Sequence, residues 1–372
     1  VGGALGSLIC GFWIINLWGI WGSLAFAMAL NVIIGFAGIY IGSRIGPDGV
    51  AAVGAAKGEP ASAAREYARK TGTAALLVFA VSGFCSMAYE VIWTKLLGLV
   101  VGPTTYSFTL ILVTFITGLA LGSVVFGWLA DRTGKPGLLL ILSQLAAASS
   151  ALVVSQLLGN SQAFFAKLIF TFKDDFSQLM LAKSLTIFTF MLFPTFFSGA
   201  AFPLVGKLYT SSLASIGRSI GFAYSLNTLG AVLGSFSAGF LMIPLMGKEH
   251  SLGLLAAIQL ASAVAAGMII SVNIRRRTVL RVSLAGVALL GFLALAFYPH
   301  WDRRLLATGR YQRFDGQILN GMDWLEALFK GRRWIGFPAS WELVYFGDGI
   351  GGFTTVMRYP DGSGEYNYTL YN

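Results

Sequence analysis

Residues Leu229–Phe240, LGAVLGSFSAGF, decide the fold, because they repeat the first residues of the chain, VGGALGSLICGF at Val1–Phe12. The two segments stay in register without a gap over 43 positions at an offset of 228, with 15 identical residues. Apolar segments often match by chance, so the ungapped length and the shared glycines carry the interpretation. The pattern indicates an internal repeat, and glycines at this spacing predict close helix packing. The shared glycines that we interpret as packing residues are Gly2, Gly6 and Gly11 in the first copy and Gly230, Gly234 and Gly239 in the second.

The composition is that of a protein that crosses a membrane several times. Hydrophobic residues make up 56% of the chain, charged residues 11%, and the mean hydropathy is +0.73, which excludes an ordinary soluble domain. A helix needs about 20 apolar residues to cross a hydrocarbon core of roughly 30 Å. We predict an all-α polytopic membrane protein with nine such helices: Val1–Leu17, Gly22–Ser43, Thr73–Leu99, Thr105–Ala130, Pro136–Leu158, Leu179–Val205, Ser219–Leu245, Ser251–Val272 and Thr278–Tyr298.

The repeat divides these helices into two sets. Residues 73–273 hold six helices, and residues 1–43 copy the last two of the six. We therefore predict a duplicated six-helix bundle whose first copy is incomplete here, with four further helices upstream of Val1. Because six is even, both copies would have the same orientation and be related by an axis along the membrane normal. Residues 44–72, rich in Ala, Gly and Pro, are the predicted linker, and residues 274–298 are one extra helix.

The net charge of +10 originates in the membrane part of the chain. After Tyr298, 8 basic residues are balanced by 8 acidic ones. Of the 18 other basic residues, 13 lie at the helix ends on one side of the predicted membrane and 5 at the ends on the other side. This is the positive-inside pattern, so no nucleic-acid partner is needed to explain the charge. It predicts that residues 44–72 are cytoplasmic. Since seven predicted helices follow this linker, residues 299–372 would lie on the outer face.

Three polar residues within the predicted helices are candidates for function. Glu90 and Lys95 lie in the segment SMAYEVIWTKLLG, and charge inside a membrane is costly enough to mark a functional site. Five positions apart, they are separated by about 140° around the helix and do not face each other. The alternatives are an ion or substrate pathway and a structural role, in which Lys95 snorkels to the interface and Glu90 finds a polar neighbour. Asn227, in AYSLNTLGAVLG, is interpreted as a packing residue that bonds across helices.

The segment GSVVFGWLADRTGKP joins two predicted helices through a tight loop that carries Asp131, Arg132 and Lys135. Its glycines permit close approach of the helices. A simple basic turn would explain Arg132 and Lys135 but neither Asp131 nor the glycines. The segment is similar to the cytoplasmic loop motif of major facilitator transporters, which implies that the acid and the bases latch the bundle halves.

Two further segments have other predicted structures. Residues 159–178, GNSQAFFAKLIFTFKDDFSQ, are too short and too charged to span, and indicate an amphipathic helix at the outer interface or, alternatively, a surface for a partner. After Tyr298, ELVYFGD, FTTVMRYP and EYNYTLY alternate like strands around the turn DGSG and predict the start of a small β-domain.

Cys10 and Cys85 are interpreted as small apolar fillers, and His250 and His300 are too sparse for a metal site.

The chain resembles the bacterial membrane proteins in which a major-facilitator-like transporter is fused to a spermidine synthase. The segments that carry the resemblance are SGFCSMAYEVIWTKLLGLVVGPTTYSFTLILVTFITGLALGS, FPTFFSGAAFPLVGKLY, IGRSIGFAYSLNTLGAVLGSFSAGFLMIPLMG and WDRRLLATGRY. The resemblance implies an inner-membrane protein whose strands in residues 299–372 lead into an aminopropyltransferase-like domain, which would use decarboxylated S-adenosylmethionine. The run GDGIGG at residues 347–352 is not the family's nucleotide loop, since it precedes a strand instead of opening a helix. No catalytic residue is therefore carried over onto this chain.

Three functions are compatible with these observations. The resemblance favours a membrane part that anchors or serves an aminopropyltransferase-like domain in polyamine metabolism or transport. The repeat and the loop motif favour a secondary transporter, although few polar residues lie inside the helices. The many aromatic and glycine residues favour a structural subunit that binds other subunits of a larger membrane complex. A periplasmic position of residues 299–372 argues against the enzyme, because decarboxylated S-adenosylmethionine is not expected there.

Overall fold

A computed structural model describes residues 2–44, 62–102, 104–210 and 216–270, with parts of the remainder: 286, 291, 293, 300–303, 306, 316–334, 340–349, 353–361 and 365–371. The helices are α1 (Gly2–Ile9), α2 (Ile15–Arg44), α3 (Ser62–Val101), α4 (Thr105–Thr133), α5 (Pro136–Gly159), α6 (Gln162–Thr171), α7 (Phe176–Gly199), α8 (Ala201–Tyr209), α9 (Ile216–Phe236), α10 (Ile243–Ile270), α11 (Gly316–Gly321) and α12 (Trp324–Trp334). Two π-helical segments, Cys10–Ile14 and Ser237–Met242, join α1 to α2 and α9 to α10. The strands are β1 (Glu342–Asp348), β2 (Phe353–Pro360) and β3 (Tyr366–Tyr371).

The described residues have the helices of a multi-pass membrane protein, as the composition predicts. Six segments are long and apolar enough to cross a membrane: Gly2–Ile41, Arg69–Val101, Thr105–Thr133, Pro136–Gly159, Phe176–Tyr209 and Ile216–Ile270. They confirm the prediction of a mainly helical membrane protein with a small sheet. The ninth predicted helix, Thr278–Tyr298, lies outside the described residues except at three single positions.

The segment that contains α9 and α10 turns back on itself at Gly247, where φ is 76° and ψ is 168°. In α9, Gly234 packs against the backbone of Phe84 in α3. In α10, the carbonyl of Leu255 lies 3.7 Å from Sγ of Cys85, at the same level of α3. The two helices therefore run in opposite directions beside α3, as two separate crossings. Glycine occupies the turn because a side chain would strain a backbone with this positive φ.

The core lies around α3, which packs against α9 and α10, while α4 packs against α7, and α5 packs against both α7 and α10. The Trp93 side chain of α3 is almost fully buried. Small residues bring α4 and α7 together, since a Cβ at Gly118 would overlap Thr195 and a Cβ at Gly122 would overlap the carbonyl of Phe196. Close backbone contacts of this kind are a main source of helix association in lipid.

α3 extends beyond the predicted membrane span Thr73–Leu99. It starts at Ser62, inside the predicted linker 44–72, because its first residues, SAAREYARK, are mostly good helix formers. The predicted span lies within this helix. Residues 45–61 of the linker lie outside the described part of the chain.

The predicted helix Leu179–Val205 is divided into α7 and α8 at Ala200. Pro203 follows in the first turn of α8. It lacks the backbone N–H that a continuous helix would bond to the carbonyl of Gly199. A break before Pro203 therefore loses one hydrogen bond fewer than a break elsewhere in the helix.

The C-terminal strands form an antiparallel meander in the order β1, β2, β3. All three lie where the alternating segments predict them, and β1 pairs with β2 from Glu342 opposite Arg358 to Asp348 opposite Phe353. The sheet contacts α10 through β1. It lies at the end of the bundle that contains the Gly247 turn, at the opposite end of the bundle from the loop after α4.

The backbone around Gly19 shares a distinctive feature with the backbone around Gly247. Gly19, at φ 65° and ψ −174°, precedes Gly247 by 228 residues, and each glycine follows a π-helical segment at the equivalent position. In both turns a serine four residues later donates a hydrogen bond to the glycine carbonyl, Ser23 at 2.7 Å and Ser251 at 2.6 Å. The same turn therefore occurs twice, at the offset of the sequence repeat.

Candidate functional site

A cavity of about 270 Å³ lies where the Gly247 turn meets the C-terminal sheet, and we call it the turn cavity. The end of α3 forms one wall through Leu96 and Leu99, and β1 forms another through Tyr345 and Phe346. The charged and titratable residues of the lining are Lys248, Glu249, His250, Arg303 and Asp348. Apolar walls and a cluster of charged side chains are thus brought together from separate parts of the chain.

A buried ion pair at this cavity joins the helical bundle to the sheet. The backbone N–H of Lys248 donates to Asp348 Oδ2 at 3.2 Å, and the Lys248 ammonium pairs with Asp348 Oδ1. The two side chains are only 5% and 8% exposed, so water screens their attraction weakly. Both carboxylate oxygens of Asp348 are therefore held by the residue that follows the Gly247 turn.

The next residue, Glu249, binds a second part of the C-terminal region. Its carboxylate is 7% exposed and accepts hydrogen bonds from the backbone N–H of Trp301 at 3.1 Å and from Nδ1 of His300 at 3.0 Å. The Trp301 ring packs against Gly159 at the end of α5, where a Cβ would overlap the ring. Lys248 and Glu249 therefore fix β1 and the segment around Trp301 at the same end of the bundle.

α6 makes a third connection between the bundle and the C-terminal region. The buried Lys167 ammonium donates to the carbonyl of Leu319 at 3.1 Å and to that of Met322, and lies 5.3 Å from the ring centre of Trp324. Carbonyls at the end of a helix carry partial negative charge, which a cation stabilises. A helix is thus present in the segment where an amphipathic helix is predicted, but six of its ten residues are buried. α11 and α12 of the same chain pack against it.

The arrangement is suited to holding two parts of one chain together. Buried charges are stable when they are paired or hydrogen-bonded, and Lys248, Glu249 and Lys167 all find such partners in residues after 299. The sequence alone does not reveal this site, because Lys248 is only one of the five basic residues at the opposite helix ends. One signal was available: the second copy has Lys248 and Glu249 where the first has Ile20 and Trp21.

Glu90, Lys95 and Asn227 are not gathered into one site. Glu90 is partly buried on α3 and has no hydrogen-bond or ion-pair partner among the residues that the structure describes. Lys95 lies near enough to Lys248 for electrostatic repulsion, although it is not one of the residues that line the turn cavity. Asn227 lies against Gly83, at the contact between α9 and α3. Of the three, only Lys95 is placed beside the candidate site.

The loop motif connects α4 to α8. Asp131 pairs with Lys207, whose ammonium also donates to the carbonyl of Gly127 at 3.0 Å. Arg132 and Lys135 have no ion-pair partner in the described ranges. The acid of the motif therefore binds a base on a neighbouring helix and not one of the two bases that follow it in the loop.

Three of the six repeat glycines lie against other helices. A Cβ at Gly230 or at Gly234 would overlap a backbone carbonyl of α3, and a Cβ at Gly11 would overlap Thr109 of α4. No described atom lies within 4 Å of the Cβ position at the other three, which are Gly2, Gly6 and Gly239.

The first two residues of the glycine-containing run, Gly347 and Asp348, take part in the sheet. They are the last residues of β1, and the Asp348 carboxylate is already engaged by Lys248. These two residues therefore contribute to the contact between sheet and bundle, whereas residues 350–352 lie outside the described part of the chain.

Comparisons of the chain with protein-family models, with curated proteins and with solved structures find no match.

Proposed function

We propose that the chain is a membrane scaffold whose helical bundle holds a C-terminal domain at one face of the membrane. The observation that carries this proposal is the buried ion pair between Lys248 and Asp348. Breaking a buried pair leaves an uncompensated charge, so the pair opposes separation of the sheet from the bundle. Glu249 and Lys167 bind two further parts of the C-terminal region and spread the attachment over two helices, α10 and α6.

The resemblance to the fused transporter and spermidine synthase family supplies a proposed identity for the held domain. It would be aminopropyltransferase-like and act in polyamine metabolism or transport, with decarboxylated S-adenosylmethionine as the nucleotide of the complete domain. The three-stranded meander supports this proposal. No residue of this chain is assigned to the nucleotide, because the Lys248, Glu249 and Asp348 side chains are engaged within the protein.

The proposed location is the bacterial inner membrane, with residues 44–72 in the cytoplasm and residues 299–372 in the periplasm. The positions of the sheet and of Asp131 at opposite ends of the bundle support this orientation. The 13 basic residues at alternate helix ends support the cytoplasmic side.

Hydrogen exchange tests the scaffold proposal. We expect the double variant Lys167→Met, Glu249→Gln to exchange backbone amides of residues 319–334 and 342–348 faster than the wild type, because two of the three attachments are weakened. Exchange in residues 105–133 should stay unchanged. Glu342→Gln is the matched control, since its partner Arg358 belongs to the same sheet. Equal exchange rates in the double variant and the wild type would overturn the proposal.

A second candidate is a secondary transporter built from two similar halves. The observation that favours it is the turn shared by Gly19 and Gly247, with the same π-helical segment before it and the same serine hydrogen bond after it. Two copies of one six-helix unit would produce this agreement at an offset of 228 residues. Transporters of this type place their substrate between the two copies, near the middle of the membrane.

A further inference from the structure

α12 has one face that packs against α6 and another that is open. On the packed face, Ala327 is fully buried, and the Trp324 ring centre lies 5.6 Å from that of Phe164 in α6. On the open face, Leu325 and Phe329 are 67% and 68% exposed. Residues four apart lie on the same side of a helix, so these two side chains form one apolar surface.

The position of α6 places this surface close to the membrane. The Phe164 ring centre lies 6.3 Å from that of Phe190 in α7. Earlier in α7, Lys183 donates a hydrogen bond to the carbonyl of Val101, the last residue of α3, at 3.4 Å. Phe190 comes seven residues after Lys183, which corresponds to about 10 Å along the helix. Phe164 therefore lies deeper in the bundle than the end of α3, and Trp324 of α12 packs against it.

Lipid is the surrounding solvent at this level of the bundle. Leu185, two residues after Lys183, is 64% exposed, and it belongs to an apolar segment that is long enough to cross a membrane. An exposed leucine of such a segment contacts lipid chains. Hydration of apolar surface is unfavourable in proportion to its area. Contact with the same lipid would therefore stabilise the open face of α12 by removing Leu325 and Phe329 from water.

The charge of α12 complements an anionic lipid surface. Its sequence, WLEALFKGRRW, has Glu326 as its one acidic residue and three basic residues after the apolar pair. These are Lys330, Arg332 and Arg333. Basic residues beside an apolar face are typical of helices that lie in the membrane interface and attract anionic lipids. The tryptophans at both ends of α12 also favour an interfacial position.

We propose that α12 lies on the membrane leaflet at this end of the bundle, with Leu325 and Phe329 inserted among lipid chains and its basic residues beside anionic headgroups. Lipid is then a further attachment for the C-terminal region, in addition to the ionic contacts with the bundle. The inference rests on the proposed scaffold, because α6 holds α12 at this level. The segment in which an amphipathic interfacial helix is predicted is α6, which is mostly buried instead.

Fluorescence quenching in vesicles tests the proposal. The chain carries Leu325→Cys, labelled with the environment-sensitive dye NBD, in a background without Cys10 and Cys85. The vesicles contain phosphatidylcholine and phosphatidylglycerol. We expect doxyl-labelled phosphatidylcholine to quench this dye as strongly as it quenches a dye at Leu181→Cys, a position 70% exposed on α7. Iodide, which stays in water, should quench it weakly.

Asp361→Cys is the aqueous control. Asp361 is exposed and follows β2, at the same end of the bundle, so its dye meets the same aqueous phase. Iodide should quench this dye strongly, and doxyl lipid should quench it weakly. The same result for the dye at position 325 would overturn the proposal. A dye at position 325 that is protected from both quenchers would also overturn it, because a protein partner and not lipid would then cover the open face.

The lipid composition tests the role of the basic residues. Vesicles of phosphatidylcholine alone should reduce quenching by doxyl lipid at position 325 and leave it unchanged at position 181. The double substitution Arg332→Gln, Arg333→Gln should produce the same reduction in vesicles that contain phosphatidylglycerol. Quenching that depends neither on phosphatidylglycerol nor on these arginines would overturn the proposed contact with anionic headgroups.

A crosslink within the protein distinguishes failure of this inference from failure of the scaffold. In the same vesicles, a short thiol crosslinker should bridge Phe164→Cys and Trp324→Cys and report the contact between α6 and α12. If this pair is bridged and only iodide quenches the dye at position 325, the lipid contact is wrong and the scaffold stands. If the pair is not bridged, α6 does not hold α12, and both proposals are overturned.

Discussion

Replacement of Lys248 with methionine is expected to lower the free energy of unfolding by about 3–5 kcal/mol. The physical reason is that the Asp348 carboxylate, only 8% exposed, would stay buried without its cation. The backbone N–H of residue 248 would remain as a donor at 3.2 Å, but it carries no net charge. An SDS titration in mixed micelles, followed by tryptophan fluorescence, measures the change.

The double variant Lys248→Met, Asp348→Leu separates the effect of the unpaired charge from the loss of packing. It should be more stable than Lys248→Met alone, because no uncompensated charge is left in the interface. Asp131→Asn is the matched control: its carboxylate is 77% exposed, so loss of its pair with Lys207 should cost about 1 kcal/mol or less. A Lys248→Met protein as stable as this control would show that the ion pair does not hold the sheet.

A leucine at Gly234 is expected to destabilise the bundle by about 3 kcal/mol or more, at the upper end of overpacking effects. Its Cβ would overlap the backbone carbonyl of Phe84, and a backbone atom cannot rotate away as a side chain can. α9 would have to move away from α3, and these two helices make the largest helix–helix contact among the described residues. The same SDS titration measures the loss.

Gly221→Leu provides the control for this substitution. It adds the same side chain to the same helix, at a position where no described atom lies within 4 Å of the Cβ. The two variants share the change in helix propensity, so the difference between their unfolding free energies reports the contact with α3. Equal destabilisation by both variants would contradict the packing seen at Gly234.

Local patterns predicted the elements of this fold well. The strand alternation in residues 342–371 places all three strands, and the apolar runs place the membrane helices. Glycine marks both turns, because Gly19 and Gly247 fall between the predicted spans and each has a positive φ. The predicted span Thr73–Leu99 lies inside α3, which also includes helix-forming residues from Ser62 onward that are too polar to count as part of a membrane span.

The candidate site was much less predictable, because its contacts are between residues far apart in the chain. Lys248 and Asp348 are 100 residues apart, and Lys167 lies 152 residues before Leu319. No periodicity connects such positions. Glu90 is a candidate on sequence grounds because charge in a membrane is costly. The ionic contacts with the C-terminal region are instead made by Lys248 and Glu249, which lie at a helix end and can contact both the bundle and the C-terminal residues. Only the three-dimensional arrangement shows which of these charges are buried together.

The sidedness of two single cysteines tests the arrangement of bundle and sheet most directly. One replaces Lys135 in the loop after α4, the other replaces Asp361 after β2, each in a background without Cys10 and Cys85. Labelling of sealed, right-side-out vesicles with a membrane-impermeant maleimide should modify the cysteine at position 361 and leave the one at position 135 unmodified until the vesicles are opened. Labelling of both cysteines from the same side of the membrane would contradict a bundle that spans the bilayer between them.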